Sequence, residues 1–162
     1  MVILSALALI AGAFIWKTQT DLLPLPVALS PYGSGVRKVQ VLDRNGVPLT
    51  VTYENRWNIH DQNSLHNIPY FLQQAFVVSE DQRFYRHKGV DWSARVHAFF
   101  QNIKALDSIR GASTISEQVV RMWHSRPRTL WSRWLEGIEA GRLENAFSKN
   151  DILEFYLNQI PY

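Results

Sequence analysis

The first segment with chemical potential is Glu80-Asp81-Gln82-Arg83-Phe84-Tyr85-Arg86-His87-Lys88-Gly89, a carboxylate set among aromatics and cations. Contact with Phe76 or Phe84 would strip water from Glu80 and raise its pKa, while Arg83 or Arg86 would lower it. That balance suits a carboxylate that accepts a proton near neutral pH. A solvated helix end fits the same spacing. A second segment, Gly111 to Arg121, sends a glycine turn into a Ser/Thr-rich helix start. Its backbone N–H groups and hydroxyls can face an anion, and Arg121 falls two turns beyond Thr114 on the same face. A capping box between Thr114 and Glu117 explains that spacing equally well. In the third, Ser132-Arg133-Trp134-Leu135-Glu136, Arg133 and Glu136 share a helix face, with an exposed ion pair as the plain reading.

The elements that must position these groups are mainly helical. Asn67 can cap a helix with Pro69 in its first turn, followed by Phe71, Leu72, Ala75, Phe76 and Ser79 up to Glu80. Asp91 can cap a second helix, Thr114 a third that Arg126-Pro127 ends, and two more run from about Leu130 to Phe147 and about Asn150 to Asn158. Upstream, VRKVQVL (36–42) and VPLTVTYE (47–54) flank Asn45-Gly46, a strong hairpin signal within the region 36–66. Residues 17–35, rich in Pro, Gly and Ser, read as a linker.

Residues 1–16 carry no charge and end in Trp16 before Lys17. As a helix they span about 24 Å, somewhat short of a hydrocarbon core of roughly 30 Å, and Trp16 suits an interface. A transmembrane anchor is favoured over a cleaved signal peptide, which would carry a cationic start, and over a buried core helix.

The chain has 162 residues, 46% of them hydrophobic, which bounds it to one principal core and excludes wholesale disorder. The absence of cysteine removes disulfides, thiolate metal sites and cysteine nucleophiles together. The net charge of +3 is uneven, with ten Lys or Arg against three Asp or Glu across 83–133. That stretch suits a phosphate-bearing partner, or is a solvated basic face.

These segments, in this order and spacing, resemble the first four motifs of glycosyltransferase family 51. This is the peptidoglycan polymerase module of class A penicillin-binding proteins and monofunctional transglycosylases, and the 1C branch is the most similar. The motif E-D-x-x-F-x-x-H-x-G is met by Glu80, Asp81, Phe84, His87 and Gly89. G-x-S-T-I-x-Q-Q is met by Gly111, Ser113, Thr114, Ile115 and Gln118, with Glu117 in place of the first Gln. R-K-x-x-E keeps Glu136, with Ser132 and Arg133 at the cation positions, and K-x-x-I-L-x-x-Y-L-N is complete from Lys149 to Asn158.

The resemblance implies a mainly α fold, a lysozyme-like lobe with a membrane-contacting jaw near Trp92 to Ile103, preceded by the transmembrane helix and the hairpin. Residues 67–162 would be a partial domain, C-terminally truncated, whose missing helices leave apolar surface for a partner to complete. It implies polymerisation of lipid II, with inversion, into β-1,4 glycan on undecaprenyl pyrophosphate. Glu80 would be the general base, and Glu136 would orient a cation or metal-bound diphosphate. Asp81, Phe84, His87, Ser113, Thr114, Gln118, Arg121 and Arg133 would bind substrate, with Lys88 and Arg95 as further cations. No cofactor is required, a divalent cation (Mg or Mn) accompanying the diphosphate being an option, and no dedicated metal ligands are visible.

The implied partners are lipid-linked glycan, the membrane and cell-wall synthesis proteins, not nucleic acid. The implied location is the bacterial inner membrane, single-pass, with the catalytic part on the outer side. Charge alone gives a contrary signal, since Glu117 adds a negative charge and Ser132 removes a positive one near a diphosphate. Two alternatives stay open: a weakly active module that binds lipid-linked glycan as a scaffold, and a lysozyme-like hydrolase using the carboxylate pair.

Overall fold

A computed structural model describes residues 1–29, 41–47, 49, 62–105 and 113–160. Six α-helices follow in order: α1 (Val2–Asp21), α2 (Tyr70–Glu80), α3 (Trp92–Ala105), α4 (Ile115–Trp123), α5 (Leu130–Ala146) and α6 (Lys149–Gln159). Each of the last three starts on a hydroxyl cap. Thr114 Oγ1 accepts from Glu117 N while the Glu117 carboxylate accepts from Thr114 N, a full capping box. Ser148 and Asp151 repeat that box at α6, and Thr129 caps α5 by accepting from Ser132 N. The α2 start is displaced from expectation. Leu65–Asn67 forms a single 3-10 turn and Pro69 is the N-cap, its fixed φ feeding the helix directly.

The core lies where α4 packs on α5 and α6. Ile115, Val119, Ile152, Leu153 and Tyr156 are fully buried there, and each such aliphatic side chain contributes about 1.5–3 kcal/mol by leaving water. From α2 only Val77 is buried, with Phe76 half-buried at its edge, and Phe71 is 74% exposed. Trp123 stacks on Phe155 at 5.8 Å, and Phe76 meets Tyr156 edge-on at 6.3 Å.

Two expectations are corrected at the N-terminal end. The apolar helix does not stop at 16 but continues through Lys17, Thr18 and Asp21, where a Lys17–Asp21 ion pair at 2.8 Å supports its last turn. Ile3–Asp21 is then long and apolar enough to cross a membrane. The segment read as a linker is also partly docked: Leu25 and Leu29 pack against the core and Leu23 N donates to Glu139 Oε1 at 2.8 Å.

Most of the two expected hairpin strands lies outside the described residues, among which no strand is found. What is described is the turn itself. Asp43 N donates to Val47 O and Leu49 N to Val41 O, both at 2.8 Å, with Gly46 at φ +82°.

Candidate functional site

Glu80 is the last residue of α2, so its side chain leaves the helix end rather than the core face. It is exposed, as the solvated reading of a helix end has it and not the desolvated one, and Phe84 turns completely into the core. Gln118, one turn into α4, donates from Nε2 to Glu80 Oε2 at 3.0 Å, and Tyr156 Oη donates to Gln118 Oε1 at 3.3 Å. A core tyrosine thus fixes the amide that fixes the carboxylate.

Glu80 stands where two clefts meet. One, of about 290 Å³, is lined by Ser79, Glu80, Ser113, Gln118, Arg121, Arg128, Ser132, Arg133 and Glu136. The other, of about 600 Å³, shares Ser79, Glu80 and Ser113 and continues along Arg83, Asp91, Ala94, His97 and Gln101. In the first, Arg121 donates to Glu136 Oε2 at 3.0 and 3.3 Å and to Ser113 Oγ at 3.2 Å. The glutamate is 5% exposed. The pair leaves Arg128 and Arg133 without a carboxylate partner among the described residues, so this cleft is a place where an anion meets cations and hydroxyls.

The other residues proposed from sequence divide by burial. Ser113, Gln118, Arg121 and Arg133 line the arginine cleft, together with Glu80 and Glu136. Phe84 and His87 line neither cleft. Phe84 has no exposed surface and Lys149 Nζ sits 4.3 Å from its ring centre. His87 Nε2 lies 2.9 Å from Asp81 Oδ2, and Asp81, 6% exposed, also accepts from Ile115 N at 3.1 Å. Asp81 and His87 therefore hold the loop after α2 against the first turn of α4, and Asp81 also lines the larger cleft. Thr114 Oγ1 is likewise occupied, donating to Gly89 O at 2.6 Å.

The charge arithmetic at Glu117 also changes. Its carboxylate is 1% exposed, paired with Arg95 and spent on the capping box, and it lines neither cleft. Burial pushes its pKa up, with the Thr114 N–H and Arg95 acting against that. Arg95, expected as a free cation, is used here. The cation absent at Ser132 has a neighbour the sequence reading passed over: Arg128, one turn earlier, opens onto the same cleft. Its signal was the basic run Arg126-Pro127-Arg128 just ahead of α5.

A second cluster was also unforeseen. Glu139, fully buried on α5, accepts from Arg126 at 2.6 and 2.7 Å, faces His124 Nδ1 at 3.1 Å and accepts from Leu23 N. Burial opposes its ionisation, yet Arg126, Leu23 N–H and His124 together hold its carboxyl below the usual value. Among the described residues no group of three or more His, Asp or Glu is placed to hold a metal ion.

Residues 45–162 match the family model described as transglycosylase. The chain is similar to a monofunctional glycosyltransferase of Staphylococcus aureus (strain JH9), 39% identical over 100 residues, covering 61% of this chain and 37% of that protein. A monofunctional glycosyltransferase of Staphylococcus epidermidis (strain ATCC 35984) is 37% identical over 106 residues, 65% of this chain and 39% of the relative. Penicillin-binding protein 1F of Bacillus subtilis (strain 168) is 34% identical over 125 residues, 76% of this chain and 17% of the relative. The chain thus spans about two fifths or less of the length of these relatives.

Proposed function

The chain belongs to the transglycosylase family, and on that premise we propose that it serves as a peptidoglycan glycosyltransferase acting on lipid II. The observation that carries the proposal is the position of Glu80 at the junction of an arginine-lined cleft and a larger polar one. The donor, a glycan on a lipid diphosphate, lays its diphosphate against Arg121, Arg128 and Arg133. The acceptor sugar enters from the second cleft. Glu80 takes the proton from the acceptor hydroxyl as that oxygen attacks the donor anomeric carbon. The new C–O bond forms opposite the breaking one, so the carbon inverts, and the bonding electrons leave with the diphosphate. Fixed arginine charge meets the charge that develops there, which lowers the barrier without reorganisation.

Glu136 acts by orienting Arg121. A Mg or Mn ion carried by the diphosphate would meet Glu136 as the carboxylate beside the arginines. Helix α1 is read as a membrane anchor, supported by its length and composition, with the clefts on the outer side of a bacterial inner membrane. Incubation of the chain with lipid II in detergent, followed by sizing of the products, tests the proposal. Elongated glycan supports it. Binding without elongation, or fragments released from preformed glycan, overturns it in favour of a scaffold or a hydrolase.

A further inference from the structure

The aromatic contacts between α1 and α5 serve none of the steps above, yet they fix where α5 sits along the membrane helix. Phe14 touches both Trp131 and Trp134, with ring centres 5.5 and 5.4 Å apart. Lys17 Nζ stands 5.3 Å from the Trp131 ring. Trp131 Nε1 donates to Asp21 Oδ2 at 2.8 Å and Trp134 Nε1 to Thr18 Oγ1 at 3.2 Å. Arg126 Nη2 adds a bond of 3.2 Å to Asp21 O.

Lys17 is the first charge along α1, and Phe14 lies one turn inside it, about 4.5 Å deeper in the uncharged run. Both indole rings therefore rest on the last apolar turn of α1, with their N–H groups turned toward its first polar one. This is the disposition of tryptophan at a bilayer interface, apolar body inward and polar tip outward. Leu130, next in the chain to Trp131, is 86% exposed, and Trp16 on α1 is 69% exposed, so both elements present apolar surface at this level. Arg128 and Arg133, interleaved with these residues, supply the cations that anionic headgroups attract.

We propose that the start of α5, from Leu130 to Trp134, is seated in the headgroup layer of the bilayer beside α1. The inference rests on reading α1 as a membrane span. Its consequence is that the arginine cleft opens at phosphate depth, so a lipid diphosphate reaches Arg128 and Arg133 without being lifted from the membrane. α5 is then a second membrane contact of the large lobe, held in register by the Trp131–Asp21 and Trp134–Thr18 hydrogen bonds.

The absence of native cysteine allows a direct test on the full chain. Leu130→Cys, Ile10→Cys and Arg142→Cys, all at exposed positions, each receive an environment-sensitive fluorophore in vesicles of phosphatidylcholine and phosphatidylglycerol. The expected result is blue-shifted emission quenched by headgroup-region spin-labelled lipid at Leu130, emission quenched only by deep acyl-chain spin labels at Ile10, and aqueous emission at Arg142. Aqueous emission at Leu130 with Ile10 buried overturns the seating of α5 while leaving the anchor intact. Aqueous emission at both overturns the seating and the membrane reading together. Neither result depends on catalysis, so a failed polymerisation assay is distinguishable from a failed seating.

Discussion

Gln118 Nε2 holds Glu80 Oε2 at 3.0 Å, joining the end of α2 to the first turn of α4 across the junction of the two clefts. The carboxylate is exposed and therefore free to meet a hydroxyl, yet it is not free to wander. Gln118→Leu removes the donor while leaving the helix face similar in volume. A loss of about 10–100-fold in kcat is expected, since small misplacements of a catalytic group cost rates of that size, together with a stability loss of about 1 kcal/mol or more because the buried Tyr156 hydroxyl loses its acceptor at Gln118. Steady-state kinetics beside a thermal melt reads both. An unchanged kcat would show that Gln118 does not position Glu80.

Gly89 is a prediction about stability. Its φ is +78°, and a Cβ at this position would lie 2.4 Å from Gly141 N and 2.6 Å from Ala140 C on the backbone of α5. Backbone strain at a left-handed position costs about 1–3 kcal/mol, and the clash with rigid helix backbone adds to it. Gly89→Ala is expected to lose several kcal/mol in urea unfolding, on the order of 3 or more. A loss below about 1 kcal/mol would contradict the close approach of the first motif to α5.

Glu117 gives the pH dependence. Burial raises its folded pKa above the unfolded value, so the stability it contributes is full below the unfolded pKa and is lost as pH rises through the folded one. Glu117→Gln keeps the capping acceptor and removes the buried charge, while Arg95 retains some solvent contact with a quarter of its side chain exposed. The variant is expected to be more stable than the parent above neutral pH, by on the order of 1 kcal/mol, and to show a flatter stability–pH curve. Unfolding midpoints across pH 4–9 check this, and a variant less stable at high pH would show that the Arg95 pair outweighs desolvation.

How much of this was readable in advance depends on whether the signal was local. The cap at Thr114 and the helix it starts follow from spacing, and the gathering of Glu80, Ser113, Gln118, Arg121, Arg133 and Glu136 on one cleft accords with the resemblance of the motifs to the family. The exposure of Glu80, the burial of Asp81 with His87 held against it, and the pairing of Arg95 with Glu117 do not follow from spacing, because they depend on which side of a turn faces a helix distant in sequence. The basic run that contains Arg128 does not by itself say onto which cleft that residue opens. Gly89 shows the limit from the other side: its place in a motif was visible, but not that α5 backbone lies against it.

Arg128 and Arg133 are expected to act on diphosphate binding more than on the proton step. Arg128→Ala and Arg133→Ala should each raise KM for lipid II several-fold, roughly 5–20-fold for a charge-assisted contact of about 1–2 kcal/mol. Added salt should narrow the difference from the parent at exposed positions such as these. Equal KM values in parent and variants would remove Arg128 from the site.

The most direct measurement is the rate of glycan elongation from lipid II by the parent chain and by Glu80→Gln, with lipid II binding followed in parallel. Glutamine retains the size and the contact with Gln118 but accepts no proton. Elongation by the parent, with loss of at least about 100-fold in the variant and binding retained, is the predicted result. Elongation by the variant at the parental rate would contradict the assignment of Glu80 as the base on which the account depends.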